Sequence, residues 1–293
     1  MKRPVYPCTA LLFVVAVFVL TNKRLPYSTF EARGHVHMVP SENQSCPITW
    51  VSSYFHIPSK HSHSEYMYWL ANLLSMKMCL VLYTDNQEVI NMAMQSRAQP
   101  HIVIADLRLE AEARLGYSDE FWAKQLAMDP EAEIHQTYML YWVWALKPHF
   151  LNDVARHGVK SSHFIWMDAG VMRDWQYNYR DIRPVQPRMD NHSLYIGIVQ
   201  NLNDTLADAF CDGPQFLVTD RIAGSIFGGS RAAVSTWLSS YTEVLQRYND
   251  CGWFIGKDQS LMATACLMFQ GLCVLLKSDS GNPWNVHKHY ILG

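Results

Sequence analysis

The sequence predicts a single α/β domain in which helices flank a mostly parallel, mixed β-sheet. Short apolar runs rich in β-branched and aromatic residues alternate along the chain with longer amphipathic stretches, a strand, crossover helix, strand pattern rather than successive hairpins. Hydrophobic residues make up 49% of the 293, enough for a sheet covered on both faces. No internal repeat and no second core divides the chain further.

The first run, residues 48–55, reads as a strand, followed by an amphipathic helix over 64–75 and a second strand over 79–84 that stops at Asp85. A helix over 88–95 and a strand over 101–105 repeat the unit. Residues 119–128 read as a helix closed by Asp129-Pro130, and a longer helix runs from Glu133 towards His157. Its segment 137–147 is apolar nearly all round, so it belongs deep against the sheet, and Pro148 should kink or break it. The strand that follows ends at Asp168. Beyond a polar, Pro- and Arg-rich stretch come a strand over 194–199, the glycine-rich run 221–230, helices over 232–248 and 258–269, and a last strand over 272–276.

Lys2 and Arg3 precede an uncharged stretch, 4–22, whose centre from Ala10 to Leu20 is continuously apolar. As a helix it would rise about 28 Å, close to the roughly 27 Å of a thin early-secretory bilayer, and no clean small-x-small cleavage pattern follows it. The expectation is an uncleaved signal-anchor: a cytoplasmic tail over 1–3, a transmembrane helix over 4–22, a luminal stem over 23–47 and a folded luminal domain over 48–293. A secreted protein is the alternative. Sequons at Asn43, Asn191 and Asn203 agree with a lumen. Cys8 lies in the leader; of the other six cysteines, Cys211 with Cys251 is the first pair to expect, while Cys79 and Cys273 sit in apolar runs and read as core thiols. A formal charge of -2 without basic blocks gives no footprint for nucleic acid.

Chemistry has four candidate places. Asp168, at a strand end and followed by Arg173, is placed to meet a charged ligand or a Mn²⁺ or Mg²⁺ ion, or else caps a turn. Asp85 ends another strand, with the same two readings. In Gly224-Ser-Ile-Phe-Gly-Gly229 the glycines let backbone approach a ligand or form a tight turn, without the spacing of a phosphate loop. Asp258 opens a helix, where it caps the first turn or accepts a proton from an attacking hydroxyl. His287 and His289 near the C-terminus would share one side of a strand or belong to a surface tail. No G-x-S-x-G elbow or H-E-x-x-H helix is present.

Val51-Ser-Ser-Tyr-Phe-His-Ile57, Leu80-Val-Leu-Tyr-Thr-Asp85, the Tyr-Trp-x-Trp-x-x-Lys pattern ending at Lys147, Phe164-Ile-Trp-Met-Asp-Ala-Gly-Val-Met-Arg173 and Ile222-Ala-Gly-Ser-Ile-Phe-Gly-Gly229 together resemble the HtrL/YibB-type proteins. These are similar in turn to glycosyltransferases of the GT-A fold, and the resemblance covers about residues 48–290. It implies a GT-A-like, Rossmann-related domain, a nucleotide-sugar donor, Mn²⁺ or Mg²⁺, and a glycan, glycoprotein or glycolipid acceptor. In that scheme Asp168, with His287 or His289, holds the metal; Asp85, Lys147 and Arg173 lie on the donor side; Gly224, Gly228 and Gly229 lie beside the acceptor; and Asp258 is catalytic. Gly170 stands where the second carboxylate of an Asp-x-Asp pair would be.

The expected function is therefore transfer of a sugar to a hydroxyl in the Golgi or endoplasmic reticulum, by a single-pass type II membrane protein. A non-catalytic carbohydrate-binding or scaffolding protein on the same fold is the alternative. A hydrolase using Asp168 and Asp258 as an acid/base pair would need the two carboxyls about 5–9.5 Å apart across a cleft.

Overall fold

The apolar runs pair into one nine-stranded sheet, in a computed structural model that describes residues 27–32, 34–40, 46–157, 160–173, 189–202, 211 and 220–278. The strands are β1 (Tyr27–Ala32), β2 (His35–Pro40), β3 (Ile48–Ser53), β4 (Leu80–Thr84), β5 (His101–Ile104), β6 (His163–Met167), β7 (Leu194–Ile198), β8 (Ile222–Ser230) and β9 (Cys273–Leu276), in the spatial order β1-β2-β5-β4-β3-β6-β8-β7-β9. The helices are α1 (His63–Ser75), α2 (Gln87–Gln95), α3 (Leu107–Leu115), α4 (Asp119–Met128), α5 (Ala132–His135), α6 (Met139–Arg156), α7 (Arg231–Asp250) and α8 (Asp258–Met268).

The parallel expectation holds at the centre, where β5, β4, β3 and β6 run the same way. These strands are short and apolar on both faces because helices cover both. Alternate residues feed separate cores: Val51, Phe164 and Trp166 pack with α6, α7 and α8 on one side, while Trp50, Ile165 and Met167 pack with α1 and α2 on the other. Away from the centre the sheet is mixed. β2 runs antiparallel to β5 and to β1, β8 runs antiparallel to β6 and β7, and β9 is parallel to β7.

Local chemistry sets the helix starts. Ser62 and Glu65 form a capping box on α1, and Asn86, Asp106, Ser118 and Ser230 cap α2, α3, α4 and α7 through side-chain oxygens.

Several expectations are corrected. Residues 27–40, expected as part of a stem, instead form the β1–β2 hairpin, which extends the sheet by pairing with β5. Backbone pairing to an open edge needs no hydrophobic periodicity, and β2 is only half-buried along its length. Helix α3 went unrecognised because only Leu107, Glu110 and Ala111 of its residues are buried, too few to print a stripe. The long helix from Glu133 is divided at Gln136, whose φ of 62° ends α5. Pro148 does not break α6, which continues to Arg156. The proline removes one backbone hydrogen bond, and burial of Leu146, Phe150, Leu151 and Val154 around it holds the helix on the sheet.

All six cysteines other than Cys8 are paired. Cys211–Cys251 matches the expected bridge, with Cα atoms 5.3 Å apart. Cys79 and Cys273 are not core thiols. Cys79 precedes β4 beside Cys46, which precedes the adjacent β3, and Cys273 opens β9 opposite Cys266 of α8, so strand alignment brings each to its partner at Cα separations of 6.3 and 5.4 Å. No helix among the described residues is long and apolar enough to cross a membrane. The 4–22 segment lies outside them, as do Asn43, Asn203, His287 and His289.

Candidate functional site

From β3 the chain moves to β4 and β5 on one side, then returns through α6 to β6 on the other. The carboxyl ends of β3 and β6 thus flank a topological switch point, where an open α/β sheet leaves a crevice for ligands. A two-lobed cleft occupies this place. The smaller lobe, about 100 Å³, is bounded by Tyr54 and His56 after β3, Tyr66 of α1, and Arg173 after β6. The larger, about 600 Å³, is bounded by Glu131, His135, Asp220, Gly224 and Lys257. Lys147 and Asp168 line both and form the floor where they meet.

Lys147 is the one charged side chain that α6 buries, at 3% exposure. Its ammonium lies 3.0 Å from Asp168 Oδ1, 2.9 Å from Asp258 Oδ2 and 3.1 Å from the Gly224 carbonyl oxygen. Asp168 is fixed further by the Trp166 indole, which donates to Oδ1 at 2.7 Å, and by its own N–H, which donates to Ser225 O at 2.9 Å. Asp258 is 4% exposed, whereas the Asp168 side chain keeps 32% of its surface open to the cleft. Burial pulls the Lys147 pKa down, but the two carboxylates more than offset it, so the ammonium is held above its ordinary value. Enclosure by protein pushes Asp168 up, against the opposing pull of Lys147 and Trp166.

This geometry decides between paired readings. Asp168 is no helix cap, because its carboxylate is spent on Lys147 and Trp166. Asp258 is the first residue of α8, after the N-cap position, and its carboxylate is held by Lys147. An acid/base pair acting across an open gap does not suit these two groups, since one ammonium bridges them.

The remaining site residues divide. Arg173 lines both lobes, stacks over Trp69 with its guanidinium carbon 4.3 Å from the ring centroid, donates to Gly170 O at 2.5 Å and lies 3.3 Å from His61 Nε2. No carboxylate pairs with it among the described residues. Lys147, read from the sequence as a donor-side cation, has its charge consumed internally. Asp85 is exposed at the end of β4 and lines neither lobe; partial desolvation by the surrounding protein raises its pKa. Gly224 lies under the cleft, where a Cβ would meet Asp258 Oδ2 at 3.2 Å, whereas Gly228 and Gly229 are close-packed against β6 and β7 and face no cavity. Asn191 is exposed in the turn before β7, accessible as a sequon requires.

Among the described residues, the donor set at Asp168 does not fit a divalent cation. An ammonium already fills the space between the two carboxylates. At Gly170 a Cβ would press on Tyr66 Cε1 at 3.1 Å and Trp69 Cε3 at 3.2 Å, so a second acid has no ready place.

Sequence reasoning missed one cluster in the larger lobe. Asp129, Glu131 and His135 bring one ligand atom each within 4.8 Å of one another, near enough to share an ion. Their own bonds occupy them. Asp129 Oδ2 accepts from Tyr141 OH and from His135 Nδ1, each at 2.5 Å, and Oδ1 accepts from the Glu131 N–H at 2.8 Å, while Glu131 pairs with Lys257 at 2.7 Å. Burial works to raise the Asp129 pKa, but these hydrogen bonds outweigh it and hold the carboxylate below its usual range. The only signal was Asp129-Pro130, which read as the close of a helix.

No protein-family model and no curated protein matches the chain, so the HtrL/YibB-type resemblance stands on its motifs. Among solved structures the chain is similar to the galactosyltransferase LgtC, described in complex with donor and acceptor sugar analogs. The two are 8% identical, with 78% of this chain and 73% of that one covered, at a TM-score of 0.38. At that distance, function has to be argued from the site itself.

Proposed function

We propose that the chain transfers a sugar from a nucleotide-sugar donor to a hydroxyl acceptor, as a single-pass type II protein of the Golgi or endoplasmic reticulum membrane. The observation that carries this reading is the cleft at the β3/β6 switch point, with a carboxylate on its floor and, at its rim, an arginine that pairs with no carboxylate among the described residues. The secretory setting is supported by the apolar 4–22 segment, the exposed Asn191 sequon and three disulfides, which persist in oxidising compartments.

Arg173 supplies the positive charge that a leaving nucleoside diphosphate needs. Tyr54, His56 and Tyr66 give the smaller lobe aromatic faces for a base. Lys147 holds Asp168 ionised and aimed, so that its open oxygen accepts hydrogen bonds from sugar hydroxyls. The larger lobe is left for the acceptor.

The reading is tested by titrating the protein with a panel of nucleotide sugars and assaying transfer to glycan acceptors, with and without Mn²⁺. Asp168→Ala should fold and lose donor binding; a wild-type protein that binds no donor would sink the reading. Gly170→Asp places a carboxylate within reach of Arg173 rather than completing a metal clamp. It should weaken nucleoside diphosphate binding about tenfold, the loss of one charge-assisted hydrogen bond of ~1.5 kcal/mol. Tighter, Mn²⁺-dependent binding by Gly170→Asp would contradict that.

The poor fit to a cation at Asp168 favours one other reading, a carbohydrate-binding protein without turnover. Glycan binding on an array, independent of any donor, would establish it.

A further inference from the structure

Asp258, the acid that the motifs nominate for catalysis, is closed off from solvent and tied to Lys147, and Asp168 is tied to the same ammonium. Asp168 keeps an oxygen open to the cleft, but both carboxylates are engaged by that one ammonium. The larger lobe holds an imidazole, the side chain most often used for general-base work near neutral pH. We infer that His135 is the general base for the acceptor hydroxyl, with Asp129 as its positioning partner; this rests on the glycosyl-transfer reading.

The ring is held from three sides. Nδ1 meets Asp129 Oδ2 at 2.5 Å, and that carboxylate, its side chain only 1% exposed, is itself fixed by Tyr141 and the Glu131 N–H. Trp144 and Tyr141 pack perpendicular to the imidazole at centroid distances of 5.0 and 6.2 Å. Because an ionised carboxylate only accepts, the bond to Asp129 places the proton on Nδ1 and leaves the lone pair on Nε2. Nε2 has no hydrogen-bond partner among the described residues, and the ring lines the larger lobe.

The backbone fixes this placement. His135 is the last residue of α5, Gln136 turns the chain with φ 62°, and the Thr137 N–H donates back to His135 O at 2.7 Å. The charged neighbours are Asp129 and Glu131 from the same turn and Lys257 from the segment before α8, which lies between Glu131 and Asp220 at 2.7 and 2.8 Å. That Lys257 bridge offsets one of the two negative charges beside the ring and leaves oxygens to orient acceptor hydroxyls.

In the step, the acceptor oxygen bonds to the anomeric carbon of the donor while its proton passes to His135 Nε2. The bond from that carbon to the diphosphate oxygen breaks, and its electron pair leaves with the nucleoside diphosphate beside Arg173. His135 then returns the proton to solvent.

The test uses the full-length protein and two variants. His135→Asn keeps a donor where Nδ1 was, so the bond to Asp129 and the fold can persist, but it has no Nε2; Asp129→Asn leaves the imidazole unoriented. Donor affinity, acceptor KM, kcat and the pH dependence of kcat/KM are measured for each. His135→Asn should bind donor as wild type does and lose kcat by about 10²- to 10⁴-fold, with the acid limb of the pH profile abolished. Asp129→Asn should lose less and shift that limb. Normal kcat with an unchanged acid limb in His135→Asn overturns the inference alone, as does Mn²⁺ bound by the wild type and lost in that variant. A wild-type protein that binds no nucleotide sugar overturns the glycosyl-transfer reading, and the inference with it.

Discussion

Replacing Lys147 by methionine should destabilise the protein by roughly 3–5 kcal/mol, the usual cost of removing one partner from a buried ion pair. Methionine fills the same volume, so the loss is electrostatic rather than a packing defect. Without the ammonium, Asp168 and Asp258 face each other across a site that only Asp168 opens to solvent, and the Gly224 carbonyl loses its donor. The deficit should also depend on pH in a defined direction. Asp168, already pushed up by burial, would lose the opposing pull of Lys147, so the native state takes up a proton that the unfolded chain does not. Stability contributed in this way falls as pH rises through the shifted range, and the variant should recover as pH is lowered from neutrality. Urea unfolding of wild type and variant at pH 7.5 and pH 5.5 measures this. Equal midpoints at both values would mean that Lys147 is a spectator. Such a result would also remove the reason for denying Asp258 a catalytic role.

The second large effect is expected at Gly228, which pairs with Ile165 where β8 crosses β6. A Cβ there would stand 2.3 Å from Phe164 O and 2.7 Å from Ile165 Cα, both backbone atoms that cannot rotate away. Gly228→Ala therefore forces the two strands apart, and the separation reaches the site because the same ladder ends in the bond from the Asp168 N–H to Ser225 O. The loss should meet or exceed ~3 kcal/mol, the upper end for overpacking. It should lower the melting temperature by about 6–12 °C for a domain of this size, judged from the usual 2–4 °C per kcal/mol. Calorimetry decides the point, and a shift under about 2 °C would show that the sheet accommodates the methyl group. The glycines of this run thus serve strand contact at Gly228 and Gly229, and only Gly224 borders the cleft.

The parallel centre of the sheet was legible because strands covered on both faces are mostly apolar, and β3, β4 and β6 are buried at every position. Asp168 was legible as a site for the same reason: a carboxylate directly after such a run cannot stay inside it. The β1–β2 hairpin and α3 were illegible because an edge element can be held by backbone pairing or by one or two buried side chains, which leave no period to read. Lys147 was visible as a lysine in an apolar helix, but its partners lie 21 and 77 residues away, just after β6 and in β8, and Asp258 further still.

The sequence by itself determined the order of the strands from β3 onward and of most helices between them, and the strand end that carries Asp168, and it offered Cys211–Cys251 as the first pair to expect. Only the tertiary structure decided which polar groups remain free to act. Lys147 and Asp258, both chemically able to do so, neutralise each other once folding brings them to one buried point, while His135, unremarkable in the sequence, is aimed into the cleft by Asp129. The physical reason is that residue type fixes what a side chain can do in water. Its charge, orientation and access in the folded chain depend on neighbours that the sequence places far apart.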